Sequence, residues 1–491
     1  MLYKNSLFFF LFFLIGNIQA QEVWSLQKCV QYAVDNSLNI RQSNIAVQQA
    51  ELTEDGSRYA RLPNLNASSS YGYNFGLTID PTSNEFINKA AGNNTWRLSS
   101  NVLLYNGGRL SKSIEQSSYD VEASQADLRQ AQNDIALNVA NAYINVMFAE
   151  EQLANAEKRI ELTQAQLEQT QKLIRAGNLP ENDKYDILAN LAQNEQAIVV
   201  QQNSVDIAYL NLKQLLELDP NIDLRIDRPE ITIPDDNAVN GFELNSIYSS
   251  ALNAQPFVQA DNLRIESAKL GVDIAKSAKY PSLSLFGSVD SRYSTEAVQQ
   301  NGFNTVLIPQ NILLSDLAGT LDINNIPQDF GNGTGSGLIG FENQIPILED
   351  KPYFDQLSDN MGQSLGLSLN IPIYNNHSAR INEERAELNI INAQINSQRN
   401  KQQLKTNIQT AIANAKAARK QLDAAERTRD AFRIAYENAQ RRLELGAVNT
   451  FQVTTAKNSY DTAEVDYIVA KYDYIFKLKV VDYYQGNQIS L

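Results

Sequence analysis

The chain has one cysteine and one histidine in 491 residues. With Cys29 alone, no intrachain disulfide is possible. Lys28 before it is not small, and Cys29 lies beyond the predicted cleavage site of the leader, so it reads as an apolar helix residue rather than a lipid anchor. One His and one Cys exclude a zinc site of the usual type. A Ser-His-Asp triad would have to use His377, which directly follows Asn375 and Asn376 at a strand-to-helix junction. No catalytic residue, cofactor or metal ligand is therefore expected. The formal charge is −15 and no basic patch stands out, which argues against nucleic acid as a partner. Long apolar runs are missing too. No stretch of eighteen apolar residues occurs, so any membrane crossing must be made by something other than apolar helices. Residues 1–20 read as a signal peptide: Lys4 is the positive end, Leu7 to Ile15 the apolar stretch, and Ile18-Gln19-Ala20 the cleavage site before Gln21.

What the chain does have is a tandem repeat. WSLQKCVQYAVDNSLNI (Trp24 to Ile40) aligns with FELNSIYSSALNAQPFV (Phe242 to Val258) at an offset of 218, which also pairs Ala33 with Ala251, Pro63 with Pro281 and Leu65 with Leu283. The offset then becomes 269. It pairs NVLLYNG (Asn101 to Gly107) with NIPIYNN (Asn370 to Asn376), Leu153 with Leu422, Gly177 with Gly446 and Glu195 with Glu464. The second copy thus carries an added loop before Tyr374.

Each copy predicts one helix of roughly thirty-five residues ending near Pro63 or Pro281, then a strand, a loop, a second strand, and two long helices joined at Gly177 or Gly446. The strands alternate. Leu65, Ala67, Tyr71, Tyr73, Phe75 and Leu77 oppose Asn66, Ser68, Ser70, Gly72, Asn74 and Gly76. Trp96, Leu98, Val102 and Leu104 oppose Thr95, Arg97, Ser99 and Asn101; Leu283, Leu285, Val289 and Tyr293 oppose Ser284, Ser288 and Asp290; Leu365, Leu367, Leu369, Ile371 and Ile373 oppose Gly366, Ser368, Asn370 and Pro372. Strands of about ten residues span a bilayer when tilted.

The helix from about Arg109 to Ala176 carries Ile114, Val121, Leu128 and Ile135 at sevens. A four-residue stutter follows, and Val146, Leu153, Ile160, Leu167 and Ile174 resume the spacing. At 1.5 Å per residue such a helix is on the order of 100 Å long. Gly331 to Gly340 contains GSGLIG, a formal match to a dinucleotide fingerprint. Without a preceding parallel strand and a following helix it reads as flexible loop.

Four amphipathic strands cannot close a transmembrane barrel, and an open edge in lipid leaves backbone groups unpaired at several kcal/mol each. The expected fold is mainly α with a membrane β-barrel. Long helical hairpins form a trimeric α-barrel, with four strands per chain and twelve per trimer. The expected organisation is a signal peptide (1–20), a first repeat (21–218), a linker (219–241, with Pro229 to Pro234) and a second repeat (242–491). Strands are expected at about 65–78, 95–106, 282–293 and 363–374. Long helices are expected over about 109–218 and 378–485, with an extracellular loop at about 294–361.

At this point the chain resembles the outer-membrane efflux proteins, the TolC-like exit ducts. The resemblance rests on the repeat, on LLYNGGR and IPIYNN, and on the turn segments LIRAGNLPENDKYDILAN (Leu173 to Asn190) and LELGAVNTFQVTTAKNSYDTAEVDY (Leu443 to Tyr467). It implies a homotrimer in the cell outer membrane that extends into the periplasm. It also implies a passive channel, not an enzyme, for efflux or secretion driven by a periplasmic adaptor (membrane fusion) protein and an inner-membrane transporter, with outer-membrane lipid around the barrel. The alternatives are a periplasmic coiled-coil adaptor and a surface adhesin. The resemblance places Gly177, Asn178, Leu179, Gly446, Ala447 and Val448 at the periplasmic tip, where the adaptor docks. Asp183 matches the family aspartate of the first turn, but Val448 stands where the family has its latch arginine, and Gln452 and Thr455 stand where it has an acidic pair. Asp183 and Asp186, at i and i+3, are read either as an entrance ring or as a helix start favoured by the macrodipole.

Overall fold

The computed structural model describes residues 23–79, 84, 86–88, 90–228, 241–312 and 337–487. The leader, most of the linker and the centre of the added loop lie outside the described residues. The chain divides into two compact units. One comprises the described parts of Met1–Arg58, Ser111–Lys276 and His377–Leu491; the other comprises Tyr59–Leu110 and Ser277–Asn376.

The first unit is helical. It holds α1 (Leu26–Asn36), α2 (Leu38–Tyr59), α3 (Arg109–Arg175), α4 (Asp183–Leu215), α5 (Leu244–Ala254), α6 (Pro256–Ser277), α8 (Ser378–Glu444) and α9 (Thr450–Gln485). Helices α3 and α8 are each 67 residues long, as the matched repeats require. The single opening helix expected in each copy is in fact two. Ser37 is extended (ψ 130) between α1 and α2, and Gln255 is extended (ψ 121) between α5 and α6, again 218 residues apart. In the second copy Pro256 imposes the break, because a residue before proline is pushed out of the helical region. In the first copy Leu38 imposes nothing, and the same break appears.

The core lies where the repeats converge. Cys29, Val139, Tyr143, Val146, Leu212, Leu216, Ile226 and Ile468 form one buried cluster. A fully buried large apolar side chain of this kind contributes about 1.5–3 kcal/mol. The segment read as linker is partly ordered: Arg225–Ile226 (β6) pairs in parallel with Val23–Trp24 (β1). The Tyr143 hydroxyl reaches the Asp227 and Trp24 carbonyls at 2.7 and 3.1 Å, which pins that pair to α3. Burial pushes the Cys29 thiol up to about 12. Along α3 the buried heptad of the lower half runs through Ala149, Ala156, Thr163 and Thr170. The expected Leu153, Ile160, Leu167 and Ile174 flank it half-buried, so small residues set the close helix contact.

The second unit is a sheet. Strands β2 (Asn64–Asn74), β5 (Ala91–Asn106), β7 (Ser282–Ser294) and β10 (Gly362–Asn370) form one antiparallel sheet in the order β2-β5-β7-β10. The central pair joins the two repeats. Its register sets Leu98 against Val289 and Val102 against Leu285, while Arg97 faces Asp290. Leu367 lies against Leu285 and Leu369 against Leu283. The alternation therefore collects the apolar residues on one face, and they are exposed: Leu367 by 64% and Leu365 by 80%.

Two strand expectations are corrected. The first strand stops at Asn74, and Leu77–Ile79 (β3) pairs separately with Phe86–Asn88 (β4). The fourth stops at Asn370, so IPIYNN is not strand. Pro372 has no N–H for a ladder, and the partner β7 begins at Ser282 opposite Asn370. The added loop is also no plain loop. Val298–Ile312 (β8) and Gly337–Asp350 (β9) form a hairpin, followed by α7 (Tyr353–Asp359). Gly337 to Gly340 thus lie in an antiparallel strand; Gly331 to Ser336 lie outside the described residues.

The echo of NVLLYNG in NIPIYNN has its reason in the backbone. Gly107 and Gly108 have φ of 67° and 83°, and their equivalents Asn376 and His377 have φ of 54° and 60°. Both copies enter the long helix through two successive left-handed residues, for which glycine is the natural choice. His377 is the N-cap position of α8. A β-carbon on Gly107 would come within 2.8 Å of Tyr280 Cβ and 3.0 Å of the Ser277 carbonyl oxygen. Gly107→Ala is expected to lower stability by about 2 kcal/mol, from strain plus overpacking. His377→Gly is expected to raise it, by up to about 1 kcal/mol. Thermal unfolding followed by helical circular dichroism checks both; a loss of stability on His377→Gly would contradict the left-handed entry.

Candidate functional site

The two ends predicted to form the tip have one geometry. After α3, the Gly177 N–H donates to the Ile174 carbonyl at 2.9 Å and the Asn178 N–H to Leu173 at 2.9 Å. After α8, the Gly446 N–H donates to Leu443 at 2.9 Å and the Ala447 N–H to Arg442 at 2.8 Å. This is the Schellman closure, with a left-handed glycine at φ 74° and 69°. Gly177, Asn178, Gly446 and Ala447 are exposed; Leu179 and Val448, equivalent by the repeat, are half-buried. The position of the family arginine is thus apolar in both turns.

The helices that follow differ in their start. Asn449 caps α9, its Oδ1 accepting from the Gln452 N–H at 3.1 Å. Asn182 makes no such bond at the start of α4, whose first turn carries Asp183 and Asp186. Asp183 is half-buried and Asp186 exposed. Glu181 is neutralised by Lys184 at 2.5 Å, which holds the Glu181 carboxyl below the usual range and Lys184 above it. Asp183 and Asp186 form no ion pair among the described residues. Gln452 and Thr455 are exposed, and the Thr455 hydroxyl donates to the Phe451 carbonyl at 2.9 Å.

Further up, the hairpins meet through polar side chains that sequence reading missed. Lys457 is 1% exposed. Its ammonium lies 3.1 Å from Asp461 Oδ2 and 3.3 Å from Thr163 Oγ1. Thr163 also accepts from Asn194 Nδ2 at 3.0 Å. Asn190 donates to Asn458 at 3.3 Å, and Gln166 to Thr454 at 3.4 Å. Helices α3, α4 and α9 are thus joined by hydrogen bonds rather than by oil. No local signal marks it: Thr450, Val453 and Thr454 share its buried stripe, but a lysine there reads as a helix-surface residue. The α8–α9 hairpin is braced separately. Tyr436 stacks on Tyr460 with centroids 6.2 Å apart, and the Arg429 guanidinium lies 4.0 Å over the Tyr467 ring.

Long paired helices tipped by glycine turns, with a sheet bearing one exposed apolar face, define the fold of a TolC-like outer membrane channel. The chain belongs to the outer membrane efflux protein family, whose model matches residues 29–217 and 247–478. Its fold is similar to that of CusC, with a TM-score of 0.69 at 17% identity over 94% of this chain and 92% of that one. It is equally similar to the CmeC outer membrane channel of Campylobacter jejuni: TM-score 0.69, 18% identity, 95% of this chain and 87% of that one. The outer membrane protein VceC of Vibrio cholerae matches with a TM-score of 0.67 at 14% identity, over 95% of this chain and 97% of that one. No curated protein matches the sequence. The family read from the repeat and the turn motifs is therefore the right one, as is the mainly helical fold with its strands.

Removing Lys457 strands Asp461 and the Thr163 cluster. Lys457→Met is expected to cost up to about 3 kcal/mol, the cost falling toward the low end because Asp461 is partly reached by water. A double-mutant cycle with Asp461→Asn in denaturant should give a coupling of about 1 kcal/mol or more; additivity would show that the pair is incidental.

Proposed function

We propose that the chain is one subunit of a trimeric exit duct that spans the outer membrane and extends into the periplasm. The observation that carries this reading is the four-stranded sheet with an exposed apolar face and two edges, β2 and β10, each paired on one side only among the described residues. In lipid such edges cost several kcal/mol per unpaired group, so only other copies of the chain can close them. Three copies contribute twelve strands, wide enough to leave a channel. Strands of 9 to 16 residues fit a tilted crossing. Helices of 67 residues reach on the order of 100 Å, far beyond a membrane and suited to crossing an aqueous compartment.

The glycine turns supply the periplasmic end. Gly177, Asn178, Leu179, Gly446, Ala447 and Val448 form the surface on which an adaptor bound to an inner-membrane transporter docks. The duct itself runs no reaction; transport is driven by that partner. Asp183 and Asp186, with Gln452 and Thr455 beside the second turn, line the entrance. The β8–β9 hairpin lies outside the cell.

Detergent-extracted protein is expected to have three times the chain mass and to form channels in planar bilayers. A monodisperse monomer with full strand content, or trimers without conductance, would refute the duct. Carboxylates ringing a narrow mouth concentrate cations. Changing Asp183 and Asp186 together to Asn should then move the reversal potential in a salt gradient toward zero, with folding intact. An unchanged reversal potential would leave the two aspartates as helix-start charges, worth about 1 kcal/mol at most.

A further inference from the structure

Helix α7 does not extend into solvent. It is folded onto the apolar face of the sheet, at the end where β5 begins and β7 ends. The Tyr353 hydroxyl donates to Asn94 Oδ1 at 2.8 Å and accepts from Trp96 Nε1 at 2.8 Å. Its ring packs on Tyr293 with centroids 4.8 Å apart. Asn94, Trp96 and Tyr293 share the face that carries Leu98, Val289, Leu365 and Leu367, by the alternation of β5, β7 and β10. Gln356 is 1% exposed and locks the far side: its Oε1 accepts from the Ser294 N–H at 2.9 Å, while its Nε2 donates to the Ser294 and Lys351 carbonyls at 3.0 and 2.8 Å. The Ser291 hydroxyl donates to the Leu357 carbonyl at 2.6 Å.

All this polar anchoring holds one apolar group out. Phe354 is 80% exposed, set edge-on against Tyr353 with centroids 5.4 Å apart. A seven-residue helix has little stability of its own, and Phe354 contributes nothing to its docking. The side chains under it, Trp96, Tyr293 and Tyr353, each pair an apolar body with a polar tip. That is the composition found where hydrocarbon gives way to headgroups. Beyond this cluster the same face carries Leu98, Val289, Leu365 and Leu367, interspersed with Ser100, Gly287 and Gln363.

We propose that α7 is a membrane-interface seat, in which Phe354 enters the boundary between acyl chains and headgroups and fixes the depth of the sheet in the bilayer. The occupant is the lipid of the surrounding leaflet, recognised through its acyl-chain boundary. This rests on the reading of the sheet as membrane-spanning, and the test separates the two.

Single-cysteine variants Phe354→Cys, Leu367→Cys and Ser368→Cys, each of the full chain, are labelled with bimane. They are reconstituted in phosphatidylethanolamine–phosphatidylglycerol vesicles containing lipid with a nitroxide high or low on the acyl chain. Cys29 is fully buried and stays unlabelled. The Leu367 label should be quenched more by the deep nitroxide. The Phe354 label should be quenched about twofold more by the shallow one, as a group 5–10 Å inside the boundary would be. Ser368, on the opposite face, should respond to neither. Quenching at Leu367 without quenching at Phe354 overturns the seat alone. Absence of quenching at Leu367 overturns the spanning sheet and the seat with it. Adding Tyr353→Phe to the Phe354→Cys chain removes both hydroxyl hydrogen bonds and should erase the twofold shallow preference; its persistence would show that α7 does not depend on that anchor.

Discussion

Two consecutive residues of positive φ, placed between strand and helix, are the constraint on which each repeat depends. In the first repeat the last paired strand residue, Asn106, is followed at once by the two left-handed residues and the helix; in the second, residues 371–375 intervene after Asn370, yet the same two angles precede the helix. Gly107-Gly108 satisfies them without a side chain, and Asn376-His377 satisfies them at a cost. The sole histidine of the chain occupies the second of these two left-handed positions. The same economy recurs at the far ends of α4 and α9. Glu217 closes α4 at φ 55° where Gly486 closes α9 at φ 88°, again 269 residues on. The repeat is preserved as a set of backbone angles even where the residue types have changed.

Within the helical unit, stability and adaptability are divided by composition. Around Tyr143 and Cys29 the contacts are apolar and fully buried. Near the turns they are small residues and polar pairs: Thr163 with Lys457, Asn190 with Asn458, Gln166 with Thr454. Apolar packing is non-directional and tolerates little loss of volume. Hydrogen bonds are directional, and each contributes a net of about 1 kcal/mol. A helical end held this way can rearrange without unfolding the end that holds the chain together. The charge pattern follows the same division, since Glu181 pairs with Lys184 while Asp183 and Asp186 form no ion pair among the described residues.

The sheet shows a different compromise. Its polar face pairs Arg97 with Asp290 and closes Ser288 to Ser364 at 2.8 Å. Gly366 lies under the Phe286 ring, where a β-carbon would approach within 2.7 Å. Among the described residues, the apolar face has no covering element over most of its width. Only at one end does the chain return to it, as α7, and it does so through hydroxyl and amide groups rather than by burying more hydrocarbon.

The sequence by itself determined the repeat, the length of the long helices, the two glycine turns and the alternation of the strands. All of these are local, carried by periods of two and seven residues and by residues that only certain backbone angles accept. The split of the opening helix at Ser37 was not legible, because nothing in Leu38 forbids a helix. The end of the fourth strand at Asn370 was written in Pro372, but only the register of β7 made it decisive. The buried Lys457 looked like any helix-surface lysine until Thr163 and Asp461 came beside it from 294 and 4 residues away. The added segment read as loop because it falls where the repeat offset changes and holds glycine-rich Gly331 to Gly340; its hairpin comes from pairing within the segment, and α7 is held by distant residues, Gln356 with Ser294 and Tyr353 with Trp96. Periodicity and turn chemistry are properties of neighbours in the chain. Partnership is a property of neighbours in space, and only the folded structure decides it.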